Sequence, residues 1–205
     1  MRTLMRKFLA VGAICSTIGF SACGSDEATV ENENEVFTTV TLTFTPEGGG
    51  TSVVAKVNDA DGDGGNPAVV EPIVLVAGAY DLSVKFENRL ETPAEDLTVE
   101  VKDEGDQHFV FFTGTAVSGP ASAQLMAPLT QAYSDLDVKG LPIGLSSKIA
   151  AVAGTGTLTV TLRHMPPVNG LAVKTAASPE TVKASGFATL GGSTDVQVSF
   201  PATVQ

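Results

Sequence analysis

Asp59, Asp61 and Asp63 stand at alternate positions in the segment Asn58-Asp59-Ala60-Asp61-Gly62-Asp63-Gly64-Gly65-Asn66-Pro67. Oxygen ligands at the first, third and fifth positions of a loop, followed by glycine, can wrap a hard cation such as calcium. Asn66 or a main-chain carbonyl would complete the shell. The position where an EF-hand loop places a bidentate glutamate is Val70, and no flanking helix is evident. The segment reads either as a calcium-binding hairpin loop or as a solvated turn, because Asp, Gly and Asn make turns readily. Asp135-Leu136-Asp137-Val138-Lys139-Gly140 is a weaker case. Lys139 sits where another ligand would help, so a plain turn explains it better.

The chain has two histidines, His108 and His164. His108 closes an acidic stretch that contains Glu104 and Asp106, and His164 follows Arg163 at the end of an alternating run. Imidazoles combined with carboxylates suit a transition metal. His108, His164, Asp106 and Glu104 are therefore a second candidate cluster, on condition that the two histidines meet in space. The alternative is a solvated acidic face with histidines at strand ends. No G-x-S-x-G elbow, P-loop, dinucleotide fingerprint or HExxH motif is present. The expectation is a protein without catalytic residues.

Cys23 offers a different chemistry. Arg2, Arg6 and Lys7 precede a charge-free apolar run from Phe8 to Phe20, and Ser21-Ala22-Cys23 follows. This is the layout of a secretory signal peptide, too short for a spanning helix. Its end resembles the bacterial lipobox, in which cleavage precedes the cysteine and the thiol is acylated. Residues 1–22 are then the signal and Cys23 carries the lipid, palmitate included. Cys15 leaves with the signal, so no disulfide or cysteine metal cage remains within one molecule. Each buried methylene contributes about 0.8 kcal/mol, so two or three acyl chains hold a domain on a bilayer.

Removal of that segment leaves nine Lys and Arg against 23 Asp and Glu. Such a balance excludes the basic footprint of nucleic-acid binding. Anionic headgroups repel the domain, which leaves anchoring to the lipid. Residues 23–35 run into GSDEATVENENE, with a single valine among five acids. That composition cannot offset its ordering entropy by burial and predicts a flexible tether.

The elements that must position the candidate residues begin at Val36. Val40, Leu42 and Phe44 alternate with threonines, and Val53, Ala55 and Val57 repeat the pattern after the turn Pro46-Glu47-Gly48-Gly49-Gly50. A period of two places one apolar and one polar face on each strand. The same alternation recurs at Tyr80–Phe86 and at Leu158–Leu162. It recurs again at Val196–Phe200, where Asp195, Gln197 and Ser199 are the polar partners. His108 to Phe112, apolar on both faces after its first residue, predicts a central strand. Thr92-Pro93-Ala94-Glu95 has the form of a capping box with proline at the first helical position and predicts one short helix, although Leu97, Val99 and Val101 equally fit a strand face. Ala116 to Gln131 fits neither period decisively. Pro166 to Gly192, rich in Pro, Gly, Ser and Ala, predicts long loops near a sheet end. Residues 36–205 are thus expected to be one mainly β domain, an antiparallel Ig-like β-sandwich with one short helix.

The runs VTLTFTPEGGGT, DADGDGGNP, QHFVFF, GLPIGL, GTGTLTVTLRHMP and GGSTDVQVSFPATVQ are together similar to small lipoproteins of Bacteroidetes, often encoded beside TonB-dependent receptors. Some of these carry a loose type 1 periplasmic binding fold label, which requires alternating strands and helices that this chain lacks. The resemblance implies an outer-membrane lipid anchor, facing the periplasm or the cell surface. It also implies a non-enzymatic accessory role beside an uptake receptor. The residues leave two other classes open: a cation-capture protein, and a structural envelope module with calcium-stabilised loops.

Overall fold

A computed structural model describes residues 36–62 and 64–205. The segments read as a signal peptide and a tether, with Cys23, lie outside the described residues. In chain order the elements are β1 (Thr39–Pro46), β2 (Val53–Asn58), β3 (Val69–Val70), β4 (Ile73–Leu75), β5 (Gly78–Asn88), β6 (Glu95–Asp96), α1 (Thr98–Asp103), β7 (His108–Thr113), β8 (Val117–Gly119), β9 (Ser122–Ala123), β10 (Leu129–Tyr133), β11 (Ser146–Ala151), β12 (Gly154–His164), α2 (Ser178–Ser185) and β13 (Ser193–Val204). They form two sheets. The larger runs β3-β2-β1-β5-β11-β10-β8-β9, with β6 added to β5, and the smaller runs β4-β13-β12-β7.

The alternating runs decide how the sheets face each other. Val40, Leu42 and Phe44 of β1, with Leu82, Val84 and Phe86 of β5, line the inner face of the larger sheet. Leu158, Val160 and Leu162 of β12, with Phe200, Ala202 and Val204 of β13, line the smaller one. All twelve side chains are buried in one core. This is the β-sandwich that period-two patterning predicts. Phe44, Phe86, Phe112 and Phe200 are essentially inaccessible, and burying each contributes roughly 2 kcal/mol. Pairing is antiparallel except for two short contacts, β8 with β10 and β4 with β13.

Three local expectations fail for identifiable reasons. First, helix α1 begins at Thr98, not at the Thr92-Pro93 capping box. Glu95 and Asp96 instead pair with Asn88 and Glu87 of β5. Thr98 then ties the helix start to that strand, since its Oγ1 accepts the Phe86 N–H at 2.9 Å. Leu97 and Val101 turn into the core, and Val99 points outward.

Second, residues 166–192 are not all loop: Ser178–Ser185 is the helix α2. Ser178 Oγ accepts the Thr175 N–H, Pro179 occupies the first turn, and Gly186 ends the helix at φ 68°.

Third, β7 is an edge strand, not a central one. Both of its faces are nevertheless covered. Val110 and Phe112 enter the main core, while Phe109 and Phe111 join Ala121, Met165 and Val182 of α2 in a second cluster on the outer face. The free edge is engaged by the Val110 N–H donating to the Ile143 carbonyl at 2.7 Å.

Candidate metal centre

His108 is the first residue of β7 and His164 the last of β12, and the register sets them directly opposite each other. Directly opposed residues of an antiparallel pair share a face. By parity that face is the inner one, since it carries Val110, Phe112, Leu162 and Val160. The imidazoles stack with centroids 4.7 Å apart and planes inclined by 14°. Beyond them the strands close through the Met165 N–H donating to the Gln107 carbonyl at 2.6 Å.

Glu104 arrives from the other direction. It is the residue that ends α1, and its N–H donates to the Glu100 carbonyl. Its own carbonyl accepts two bonds from His108, the main-chain N–H at 3.1 Å and the ring Nδ1 at 3.3 Å. The intervening turn is tight. A Cβ on Gly105 would lie 2.6 Å from Ile143 Cδ1, so a larger residue there would push the Ile143 side chain aside. As a result Glu104, His108 and His164 each offer one ligand atom, and the three atoms lie within 4.8 Å of one another. No other trio of His, Cys, Asp or Glu does so among the described residues, which exclude Asp63.

The surroundings fix the protonation of this group. His108 is 2 % exposed. Burial pushes its ring pKa down to about 4, helped by the adjacent His164 and opposed by the Glu104 carbonyl. The ring is therefore neutral near pH 7. Its Nδ1–H donates to the carbonyl, and Nε2 keeps its lone pair. Nε2 faces Asp195 Oδ2 at 4.0 Å. Burial raises the Asp195 carboxyl to about 6, with Arg163 acting in the opposite direction.

Two buried cations brace the site. Lys174 Nζ lies 2.8 Å from Asp137 Oδ2, with both side chains 1 % exposed, and donates to the Gly105 carbonyl at 2.6 Å. It also sits 5.0 Å from the centre of the Phe109 ring. Lys174 thus pins the turn between Glu104 and His108. Arg163, on the opposite face of β12, donates to the carbonyls of Leu190, Gly191 and Gly192 and to Thr194 Oγ1. That holds the chain entering β13.

The remaining sequence candidates fall elsewhere. Asp106 is not in the cluster, because its Oδ2 pairs with Lys139 Nζ at 2.8 Å. Asp135 accepts the N–H groups of Gly144, Leu145 and Ser146, and Asp137 those of Lys139 and Leu141. The 135–140 segment is accordingly a hydrogen-bonded turn. In the aspartate loop, Asp61 Oδ2 accepts both the main-chain and the side-chain N–H of Asn66. Asp59 Oδ1 and Asp61 Oδ1 are inaccessible and have no hydrogen-bond donor. Asp63 lies outside the described residues.

Sequence reasoning missed Asp195, Lys174 and Arg163. Only Asp195 carries a warning in the sequence, the Gly191-Gly192-Ser193 approach to its strand. No protein-family model, curated protein or solved structure matches this chain.

Proposed function

We propose that the protein is a lipid-anchored envelope domain that captures a divalent transition-metal ion between the end of α1 and the adjoining ends of β7 and β12. One observation carries this reading: Glu104, His108 and His164 bring three ligand atoms within 4.8 Å of one another. Imidazole nitrogen with carboxylate oxygen is a donor set for zinc and its first-row neighbours, and a poor one for calcium. The His108 ring also meets a common requirement of metal-binding histidines. Its second nitrogen is fixed by a carbonyl, which sets the tautomer of the coordinating one. The residues supply binding and orientation, and no step of catalysis is assigned to them. Lipidation at Cys23 supplies the membrane location.

Metal analysis of the full-length protein purified from membranes, followed by competition with a zinc-chelating dye, tests the reading. One equivalent of zinc should bind, and His108→Gln or His164→Gln should weaken binding at least tenfold. A wild-type protein that takes up no zinc, cobalt or nickel above the level of the double histidine variant ends the proposal.

A second reading is the accessory partner of a TonB-dependent receptor that the resemblance implies. Leu125 and Met126 favour it. They form an apolar loop tip that is 93 % and 95 % exposed, a feature that suits contact with another protein. Co-purification with a large outer-membrane protein from detergent-solubilised membranes, lost on Leu125→Ser/Met126→Ser, tests that role.

A further inference from the structure

We infer that Asp195 is a fourth ligand of this centre, delivered to it by a β-bulge, so that the metal is held by two imidazoles and two carboxylates from four elements. The inference rests on the metal-binding reading above and adds to it a residue whose place in the alternation assigns it to the opposite face.

The bulge is explicit in the register. Leu162 pairs with Val196, but Arg163 pairs with Thr194, which leaves Asp195 without an opposite residue. Strict alternation would turn Asp195 away from the face that carries Val196, Val198 and Phe200. A bulge puts two residues against one and re-aims a side chain. Here it sends Asp195 toward His108, two strands away. Thr194, by contrast, stays with Arg163 on the outer face and accepts its Nη1–H at 2.8 Å. The clamp of Arg163 on Leu190, Gly191 and Gly192 fixes the chain on the near side of the bulge.

The chemistry between the two groups calls for a cation. His108 Nδ1 is spent on the Glu104 carbonyl, so Nε2 presents a lone pair. Asp195 Oδ2 opposite it is inaccessible to solvent and has no donor. Two acceptors facing each other at 4.0 Å out of water repel unless a positive species lies between them. Two ligands each about 2.1 Å from a tetrahedral ion stand roughly 3.4 Å apart. A closure of about half an ångström brings this pair to that distance, and Asp195, which lies outside the 4.8 Å grouping of Glu104, His108 and His164, must also move toward the other two ligand atoms as an ion binds. Asp106, the nearer carboxylate in sequence, is held by Lys139 and is not needed.

The test uses the full-length protein in detergent, with zinc for affinity and cobalt(II) as the spectroscopic probe. Asp195→Asn should lower zinc affinity about 10- to 100-fold and alter the visible cobalt spectrum, while Asp106→Asn changes neither. Asp195→Cys should introduce a thiolate-to-cobalt charge-transfer band absent from the wild type, a signal that a purely structural residue does not produce. Circular dichroism melts show that each variant is folded. If His108→Gln and His164→Gln abolish binding while Asp195→Asn keeps wild-type affinity and Asp195→Cys gives no new band, Asp195 is not a ligand and the three-residue site stands. If the wild type binds no metal, both readings fall.

Discussion

Replacing Asp195 by asparagine should make the metal-free protein acid-sensitive in a way that the wild type is not. His108 is ordinarily protonated below 6.5 and in the native state only below about 4. Between those values the unfolded chain binds the proton and the native protein does not. His108 therefore contributes stability that is present above pH 6.5 and lost as pH falls toward 4, about 3 kcal/mol in all. Asp195 runs the other way. Its carboxyl ordinarily titrates at 3.8 and in the native state at about 6. The native protein holds that proton longer, and the stability it contributes, again about 3 kcal/mol, is present below 3.8 and lost as pH rises through 6. The slopes oppose each other across pH 4 to 6 and nearly cancel. His164, Lys174 and Asp106 act on the His108 ring and Arg163 acts on Asp195, and all four are common to both proteins. Asp195→Asn removes one slope and exposes the other. Urea unfolding of chelator-stripped protein, at intervals from about pH 4 to about pH 7, reads the difference directly. The variant should lose about 3 kcal/mol more than the wild type on acidification. Parallel profiles would refute the assignment of a buried, neutral His108 opposed by a buried carboxyl.

Lys174→Met should destabilise the protein by about 3 to 5 kcal/mol in denaturant titration, because it strands the Asp137 carboxylate in the interior. Adding Asp137→Leu should recover most of that loss, and a double variant no better than the single one contradicts the pairing. Millimolar calcium should raise the melting temperature by a few degrees if Asp59 and Asp61 offer their unpartnered oxygens to the ion, and Asp61→Asn should remove that response. An unmoved wild-type melt leaves the loop a polar turn. Cys23→Ser should shift the protein from the membrane to the soluble or unprocessed fraction on cell fractionation, and a correctly cleaved variant that stays on the membrane contradicts the lipid anchor.

The sandwich was legible because its long strands bury one face each, and period-two alternation at Val40–Phe44, Leu82–Phe86 and Leu158–Leu162 records that directly. Punctuation was less reliable. Thr92-Pro93-Ala94-Glu95 and Ser178-Pro179-Glu180 both place a hydroxyl residue before a proline and an acid, yet only the second opens a helix. At the first, β5 offers a pairing partner to Glu95 and Asp96, and tertiary pairing outweighs a cap. At the second, Val182 is the only large apolar residue that α2 buries, so there was no helical period to find. The histidine cluster was half legible. Glu104 and His108 are four residues apart, but His164 joins them through the register of β7 on β12, and a single sequence does not state strand register. The Gly191-Gly192 approach to its strand marks an irregularity near Asp195 but not where the side chain turns, because a bulge inverts the parity on which alternation depends.

The location of the cluster argues for its use. His108 and His164 continue, on the inner face of the smaller sheet, rows otherwise made of Val110, Phe112, Val160 and Leu162. An apolar pair there would extend the core with no polar group to satisfy. The chain instead stacks two imidazoles, closes a helix so that the Glu104 carbonyl fixes one of them, and interrupts β13 to bring in a carboxylate. The buried polar rings and the broken register depart from a regular core, and such departures gather where a protein has a task besides folding. The bracing is what such a task requires. Lys174 from one loop and Arg163 from the outer face hold the Glu104–His108 turn and the start of β13 through carbonyl bonds of 2.6 to 3.1 Å. Backbone bracing of this kind would reduce the ordering cost if the proposed site takes up an ion.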